Sequence, residues 1–285
     1  MAVALLPAAG ASVVPSGTDP LASVRAALDA GDLPRAVQLG EEAVAAEPAS
    51  SEARDLLGRA YGLTARDASL LQQMHLARKA RACFARAVEL DPTNVAALSD
   101  LARYDLKAPG VLGGGKKKAK EVIDRVLALD PERGHILLGE LALQQRHPSD
   151  AEAEFRKAVS AAANGERGRR ALSDFLVSQK RYGEARGVWI EARELAPSQT
   201  TSEYELAGIA LASGEELDEA ARRLEAVGST PAGAEGPTAA EIHERLADLY
   251  ERLGRHRAAA VELEAALTLE PERSDWRRRL EKLEK

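Results

Sequence analysis

The sequence has 285 residues, of which 45% are apolar, 29% are charged and only 4% are aromatic. This composition is typical of a soluble, folded chain with closely packed helices, and the net charge of −6 gives no reason to expect nucleic-acid binding. The single cysteine, Cys83, excludes an internal disulfide and a cysteine metal cluster.

The N-terminal leader, residues 1–18, is open to two interpretations. Residues 2–14 are apolar and include Ala9-Gly10-Ala11, which resembles the cleavage region of a secretory signal peptide. The basic first part of such a peptide is missing, and Pro7 interrupts the apolar core. The leader is therefore the remnant of a signal peptide on an exported, periplasmic protein, which we slightly favour, or a disordered segment of a cytoplasmic protein. Beyond it, no apolar run approaches membrane-spanning length.

One pattern then recurs seven times along the chain. An alanine is followed by an apolar or small residue four positions later, by another three positions after that, and in most copies by a proline five positions further on. The proline ends a helix because it lacks an amide proton and clashes with the preceding turn. The copies are Ala36, Gly40, Ala43 and Pro48; Ala80, Phe84, Ala87 and Pro92; Ala119, Ile123, Val126 and Pro131; Ala151, Phe155 and Ala158; Ala185, Trp189, Ala192 and Pro197; Ala220, Leu224 and Val227; and Ala259, Leu263, Ala266 and Pro271.

A second pattern precedes most of these copies: a leucine, a small residue directly after it, and a third position three residues further on. The small residue is expected to let two helices approach closely. The clearest examples begin at Leu57-Gly58, Leu101-Ala102, Leu138-Gly139, Leu172-Ser173, Leu206-Ala207 and Leu246-Ala247.

Together the two patterns resemble the tetratricopeptide repeat, a 34-residue helix–turn–helix unit. Leu138, Leu172 and Leu206 follow one another at intervals of 34 residues. The resemblance implies an all-α fold: an α-solenoid of about seven hairpins over residues 19–272, followed by a capping helix at 273–285 with Trp276 and Leu280 on its apolar face. The repeats lie near residues 19–48, 51–92, 94–131, 133–164, 167–197, 200–232 and 240–271.

The second repeat is longer than the others, because Pro48 and Pro92 are 44 residues apart. The additional residues lie between Tyr61 and Ala80. Ser69 and Gln72 have the spacing of a capping box, which marks a helix start, and the apolar residues from Leu70 onwards continue the stripe that leads to Ala80. We expect a taller hairpin that projects beyond the array.

The third repeat contains the stretch APGVLGGGKKKA, residues 108–119. Gly110 and Gly115-Lys116 fit the start of a phosphate-binding loop, but Lys117 stands where that loop needs Ser or Thr, and a helix rather than a strand is expected before it. We therefore predict an extended loop between helices, similar to an insertion in bacterial proteins built only from this repeat. Two further hypotheses are that Lys116, Lys117 and Lys118 dock an anion or an acidic partner, and that residues 110–118 form a small-anion or nucleotide sensor.

The resemblance also implies a binding groove, because the first helices of tetratricopeptide repeats line a concave surface. The positions that would face this groove carry basic residues in the early repeats and acidic residues in the last one. The alternative is that these are ordinary solvated positions. The basic candidates are Arg25, Arg59, Arg103, Lys107 and Arg170, with Arg133, Ile136 and Arg167 near the groove. The acidic candidates are Glu241, Glu244, Asp248 and Glu251.

The sequence contains no recognisable catalytic or metal-binding motif. Its five histidines are scattered, with no pair four residues apart, and Cys83 is expected to be a small core residue. The chain has only two asparagines, Asn94 and Asn164, so the asparagine-containing clamp of chaperone-binding tetratricopeptide domains is not expected. The sequence therefore predicts a non-enzymatic scaffold for a protein or peptide partner, with no cofactor, no metal and no membrane span. That the partner is acidic is a further hypothesis.

Overall fold

The structure is a computed structural model, and it describes residues 19–162, 165–195, 199–228 and 236–284. All regular structure in these ranges is helical, in agreement with the predicted all-α fold. The leader, residues 1–18, and Asn164 lie outside the described residues.

Fifteen α-helices occur in the described part of the chain, together with two short 3-10 turns at Ala65–Asp67 and Gly110–Leu112. The helices are α1 (Pro20–Asp29), α2 (Leu33–Ala46), α3 (Ser51–Thr64), α4 (Leu70–Leu90), α5 (Val95–Lys107), α6 (Lys116–Leu129), α7 (Pro131–Gln144), α8 (Pro148–Ala161), α9 (Glu166–Ser178), α10 (Tyr182–Leu195), α11 (Gln199–Ser213), α12 (Leu217–Val227), α13 (Ala239–Arg252), α14 (His256–Leu269) and α15 (Ser274–Leu283).

The helices are arranged in two layers. Each helix packs on the next one in the chain, and each odd-numbered helix from α1 to α11 also contacts the next odd-numbered one. Within the described residues, no even-numbered helix packs on another even-numbered helix. The odd-numbered helices therefore form one continuous layer and the even-numbered helices the other, which confirms the predicted α-solenoid.

The small residues of the repeat pattern allow the helices of a hairpin to meet. A Cβ atom added at Gly58 on α3 would lie 2.6 Å from the ring of Phe84 on α4. Phe84 is itself 6% exposed and belongs to the core that spans α3 to α7. Ala80 and Ala87, on the same face of α4, are fully buried. The large and small residues of the predicted repeat pattern are therefore the residues that pack in the core.

The second hairpin is taller, as predicted. Helix α4 has 21 residues, whereas α2 and α6 each have 14. It begins after Ser69, whose backbone N–H donates to the Gln72 amide oxygen at 3.3 Å. The expected continuation of the apolar stripe is wrong at its start, because the side chains of Leu70 and Leu71 are 73% and 81% exposed.

The last helix covers the end of the array. Trp276 on α15 is fully buried, and Leu280 and Leu283 pack against the core built by α11 to α14. The Trp276 indole N–H donates to Glu244 on α13 at 2.6 Å. The predicted apolar face of this segment thus lies against the last repeat.

Candidate interaction groove

The glycine-lysine stretch forms a closed loop between two helices. The backbone N–H groups of Gly113, Gly114 and Gly115 donate to the carbonyl oxygens of Gly110, Pro109 and Asp105 respectively. Gly113 has a φ of +89°, and a side chain at Gly114 would collide with the carbonyl oxygen of Ala108. The glycines are needed for the turn, and their amides are already used.

The lysines that follow are partly engaged as well. The Lys116 ammonium donates to the Gln144 carbonyl oxygen at 2.9 Å, and the Lys118 ammonium donates to the Gly113 carbonyl oxygen at 3.0 Å. Gln144 is the last residue of α7, where the helix dipole favours a cation. This contact offsets the unfavourable position of Lys116 at the first turn of α6. Lys117 is exposed.

These contacts remove the features that a phosphate-binding loop requires. The segment before the loop is α5, not a strand, and the amides that would converge on a phosphate bind carbonyl oxygens of the protein instead. The structure therefore gives no support to a nucleotide or small-anion sensor at residues 110–118. Docking of an acidic partner at Lys116, Lys117 and Lys118 remains a prediction, with two of the three ammonium groups already hydrogen-bonded to the protein.

The predicted groove arginines lie on the odd-numbered layer, and each has a carboxylate partner on the neighbouring odd-numbered helix. Three distances show the spread: Arg59 to Asp100 is 3.8 Å, Arg103 to Glu140 is 3.0 Å, and Arg170 to Glu205 is 2.7 Å. The partners on neighbouring odd-numbered helices are Glu52 for Arg25, Asp100 for Arg59, Glu140 for Arg103, Glu132 for Arg167 and Glu205 for Arg170.

This ladder of ion pairs changes the predicted charge of the groove. The arginines do not form an uncompensated basic row, because a carboxylate faces each of them. The sequence pattern predicted the positions of the arginines but not those of the acidic residues. The acidic end is compensated too, since Arg279 on α15 pairs with Asp248 at 2.6 Å and Glu251 at 2.8 Å. The spacing in the sequence could have predicted these pairs, because each acidic residue lies roughly one repeat length from its arginine.

A groove of about 510 Å³ lies between α5, α7 and α9. Its apolar floor includes Ile136, Phe155 and Phe175, and the two phenylalanine rings lie 5.7 Å apart between centroids. Six charged side chains line it: Arg103, Arg133, Glu140, Arg167, Arg170 and Asp174. An apolar floor with a charged rim is the usual form of a site that binds an extended segment. We call this surface the central groove.

Glu132, which the sequence analysis did not single out, organises one edge of the central groove. Its side chain is 4% exposed and accepts hydrogen bonds from Arg167 at 2.9 and 3.0 Å and from the backbone N–H of Gly168 at 2.9 Å. A buried carboxylate is stable only when it is paired and hydrogen-bonded in this way. Glu132 therefore joins α7 to α9 and orients Arg167.

Of the predicted groove residues, Arg25 and Arg59 do not line the central groove, and neither does Lys107. It lines a second hollow of about 420 Å³ with Arg59, Arg103, Tyr104 and Leu112. This hollow adjoins the tall second hairpin.

Asp55 on α3 is a buried carboxyl without adequate partners. Its side chain is 4% exposed, and its Oδ1 atom has no hydrogen-bond partner among the described residues. Burial, together with the charges of Asp100 and Glu52, raises the pKa of Asp55 from 3.8 to about 7, although Arg59 opposes the shift. The folded protein therefore holds this proton more tightly than the unfolded chain does.

This raised pKa makes stability depend on pH. Between pH 4 and 7 the unfolded chain releases the proton first, so stability should fall as pH rises through that window. Asp55→Asn should remove this dependence and raise the free energy of unfolding at pH 8 by at least about 1 kcal/mol, with a smaller effect at pH 5. Urea unfolding at both pH values would measure it, with Asp29→Asn on the exposed face of α1 as the control. An equal effect of Asp55→Asn at the two pH values would contradict the assignment.

The cysteine and two of the histidines are buried or hydrogen-bonded within the fold. Cys83 is 8% exposed, and burial raises the pKa of its thiol, so it does not have the character of a nucleophile. His135 lies 2.8 Å from Glu154, and His243 lies 2.7 Å from Glu262. Within the described ranges, no three His, Cys, Asp or Glu residues are grouped as metal ligands, and no helix combines the length and hydropathy needed to cross a membrane.

Comparison with known families agrees with this architecture. Family models of the tetratricopeptide repeat match residues 114–167, 136–200 and 240–273. Residues 114–200 and 240–273 therefore carry tetratricopeptide repeats. Repeats of this kind commonly mediate protein–protein interaction through an extended concave surface. Among curated proteins, no sequence matches this chain significantly.

Solved tetratricopeptide structures share the fold. Yeast Tom70 superposes with a TM-score of 0.59 at 15% identity, over 98% of this chain and 59% of that chain. A thermophilic tetratricopeptide protein of Thermus thermophilus, TTC0263, superposes with a TM-score of 0.50 at 20% identity, over 67% of this chain and 97% of that chain. At these identities the similarity concerns the tetratricopeptide architecture alone.

Proposed function

We propose that this protein is a non-enzymatic scaffold whose central groove binds a peptide or an extended segment of another protein. The observation that carries the proposal is the groove of about 510 Å³ on the odd-numbered layer, with an apolar floor and a charged rim. Leu143 lines this groove and is 40% exposed, so it offers apolar area to a side chain of the partner above the nearly buried floor of Phe155 and Phe175. Apolar contacts near the centre of such interfaces supply much of their energy.

The partner segment carries acidic residues in this proposal. Arg103 and Arg170 bond to Glu140 and Glu205 through Nε, and their side chains are 40% and 38% exposed. A guanidinium has five N–H donors, so the terminal nitrogens can still bind a carboxylate of the partner. Together with Arg25, Arg59 and Lys107 they form a series of cations along the early groove. Because their own carboxylates already compensate the arginines, the charge contributes more to specificity than to affinity.

Groove occupancy can be tested with peptides selected from a random display library on the purified protein. Ala171 lines the central groove, and Ala171→Arg would fill it, so selected peptides should bind this variant at least about tenfold more weakly. Val261→Arg, at a position 62% exposed on α14, is the matched control and should leave affinity unchanged. Peptides that bind Ala171→Arg as well as the unmodified protein would place the binding surface elsewhere.

The charge of the partner has a separate test. Arg59→Glu should weaken the selected peptides more than Arg257→Glu, because Arg257 is an exposed residue of α14 in the even-numbered layer. The difference should shrink as salt is raised, since exposed charges are screened beyond roughly 8 Å at physiological ionic strength. Equal effects of the two reversals, or affinity independent of salt, would show that the arginines are solvated positions without a role in binding.

A further inference from the structure

The third repeat also exceeds the 34-residue period, because Pro92 and Pro131 are 39 residues apart. The additional residues of the second and third repeats meet at one surface. The longer second repeat supplies the first turns of α4 and the 3-10 turn Ala65–Asp67, and the longer third repeat supplies the 3-10 turn Gly110–Leu112. The latter turn contacts α4. Between them lies a groove of about 460 Å³, lined by residues that include Arg66, Leu70, Met74, Val111 and Leu112. We call this surface the shelf.

The shelf gathers unusually exposed apolar side chains. Leu71, Val111 and Leu70 are 81%, 77% and 73% exposed, the highest values among the exposed large hydrophobic residues of the described chain. Leu70 and Val111 line the groove, and Leu71 is the next residue of α4. Large apolar residues scattered singly on a surface are ordinary, whereas a contiguous group around a groove is typical of an interaction site.

The surface is held in place by the fold. The Tyr104 hydroxyl donates to the Leu112 carbonyl oxygen at 3.1 Å, and Gly115 N–H donates to the Asp105 carbonyl oxygen at 2.8 Å. Arg81 on α4 bonds to the buried Asp105 at 3.0 Å and passes beside Gly113. These contacts connect the loop to α4 and α5, so the shelf is formed before a partner arrives.

The charges around the shelf favour an acidic occupant. Arg66 lines the apolar groove, and Lys107 lines the adjoining hollow with Arg59 and Arg103. Neither Arg66 nor Lys107 forms an ion pair with any described residue. The only carboxylate among the described residues that line either cavity is Asp100, which already lies between Arg59 at 3.8 Å and Arg103 at 3.9 Å. The shelf therefore has cations without compensating acids, unlike the ladder of the central groove.

We propose that the shelf is a second docking site, which binds a short acidic amphipathic segment of a partner protein. The apolar side chains of that segment would cover Leu70 and Val111, and its carboxylates would pair with Arg66 and Lys107. A concave groove accepts a protruding segment better than a flat lipid surface. The shelf shares Arg66 and Leu112 with the hollow, and the hollow shares Arg103 with the central groove. A sufficiently long partner can therefore occupy both sites.

The test separates the shelf from the central groove. Random displayed peptides would be selected on the wild-type protein while an excess of the double variant Leu70→Glu, Val111→Glu is present in solution, so that only peptides that need the shelf are retained. Both positions are exposed, and an acidic residue in the first turn of α4 suits the helix dipole. The double variant should therefore keep the wild-type melting temperature and circular dichroism spectrum.

The retained peptides should contain apolar residues bordered by Asp or Glu. They should bind the wild-type protein at least about tenfold more tightly than the double variant, which is the loss expected for a single dominant contact. Arg66→Glu should weaken them as well. Val261→Glu and Ala171→Arg should bind them like the wild-type protein, and this result would hold even if the central groove bound no peptide.

Several outcomes would overturn the proposal. These are a selection that yields no peptide, retained peptides without acidic residues, or equal affinity for the double variant. Sedimentation with phosphatidylserine vesicles that depends on Leu70 and Val111 would instead assign the shelf to a membrane surface. Self-association of the wild-type protein that the double variant abolishes would assign it to a second copy of the chain.

Discussion

Replacement of Trp189 by alanine is expected to lower the free energy of unfolding by about 3–5 kcal/mol, the cost of removing a large aromatic side chain from a core that cannot collapse around the cavity. Trp189 is fully buried on α10, in a cluster that includes Phe155, Phe175, Leu176 and Ile209. This cluster joins α7 to α11. Chemical denaturation of the purified protein would measure the loss.

The neighbouring residue provides the control. Ile190 is 39% exposed on the same helix, so Ile190→Ala should cost less than about 1 kcal/mol. The Trp189 indole nitrogen is buried without a hydrogen-bond partner among the described residues, so Trp189→Phe removes no hydrogen bond and should cost less than the alanine variant. Similar losses for Trp189→Ala and Ile190→Ala would show that the repeat register is misassigned.

The damage should also be local. In a repeat array each unit is stabilised mainly by its neighbours, so amide hydrogen exchange in Trp189→Ala should increase in α7 to α11, the helices that share its cluster. Helices α1 and α2 bury a separate cluster with α3 that includes Val24, Ala36 and Leu56, so α1 and α2 should keep their protection. Phe84→Ala should produce the reverse distribution. Uniform loss of protection in both variants would indicate a single cooperative unit.

The repeat register explains why so much of the fold could be predicted from sequence. The alanines and large apolar residues at fixed intervals are the residues that helices bury against each other, and the position of one copy fixes all the others. Ala80, Ala119 and Ala151 are fully buried as expected. Local chemistry predicted the start of α4 equally well, because Ser69 and Gln72 interact within a single turn.

The functional surfaces were harder to predict, because they depend on contacts between helices. The partner of Arg103 lies 37 residues away on α7, and only the packing of α5 against α7 brings Glu140 within 3.0 Å. Val111 and Leu70 are likewise separated by 41 positions in the sequence yet line one groove. A pattern of residue types predicts which face is exposed, but it does not predict which side chains meet there.

Gly168→Ala is expected to destabilise the protein by about 1–3 kcal/mol, although alanine normally stabilises a helix interior relative to glycine. A Cβ atom at position 168 on α9 would lie 2.6 Å from the carbonyl carbon of Ala158 and from the backbone nitrogen of Val159 on α8. Both atoms belong to the backbone, so the contact can be relieved only by separating α8 from α9. That movement would also weaken the hydrogen bond between Gly168 N–H and Glu132, and with it the orientation of Arg167 at the edge of the central groove.

Gly187 on α10 is the matched control, because a Cβ atom there would have no atom within 4 Å. Gly187→Ala should therefore raise the free energy of unfolding by about 0.5–1 kcal/mol through helix propensity alone. The two substitutions are chemically identical, so opposite signs in urea denaturation would isolate the close approach of α8 and α9 as the cause. If both variants were stabilised, α8 and α9 would have to lie further apart than the structure places them. The positions of Glu132 and Arg167 at the edge of the central groove would then be wrong as well.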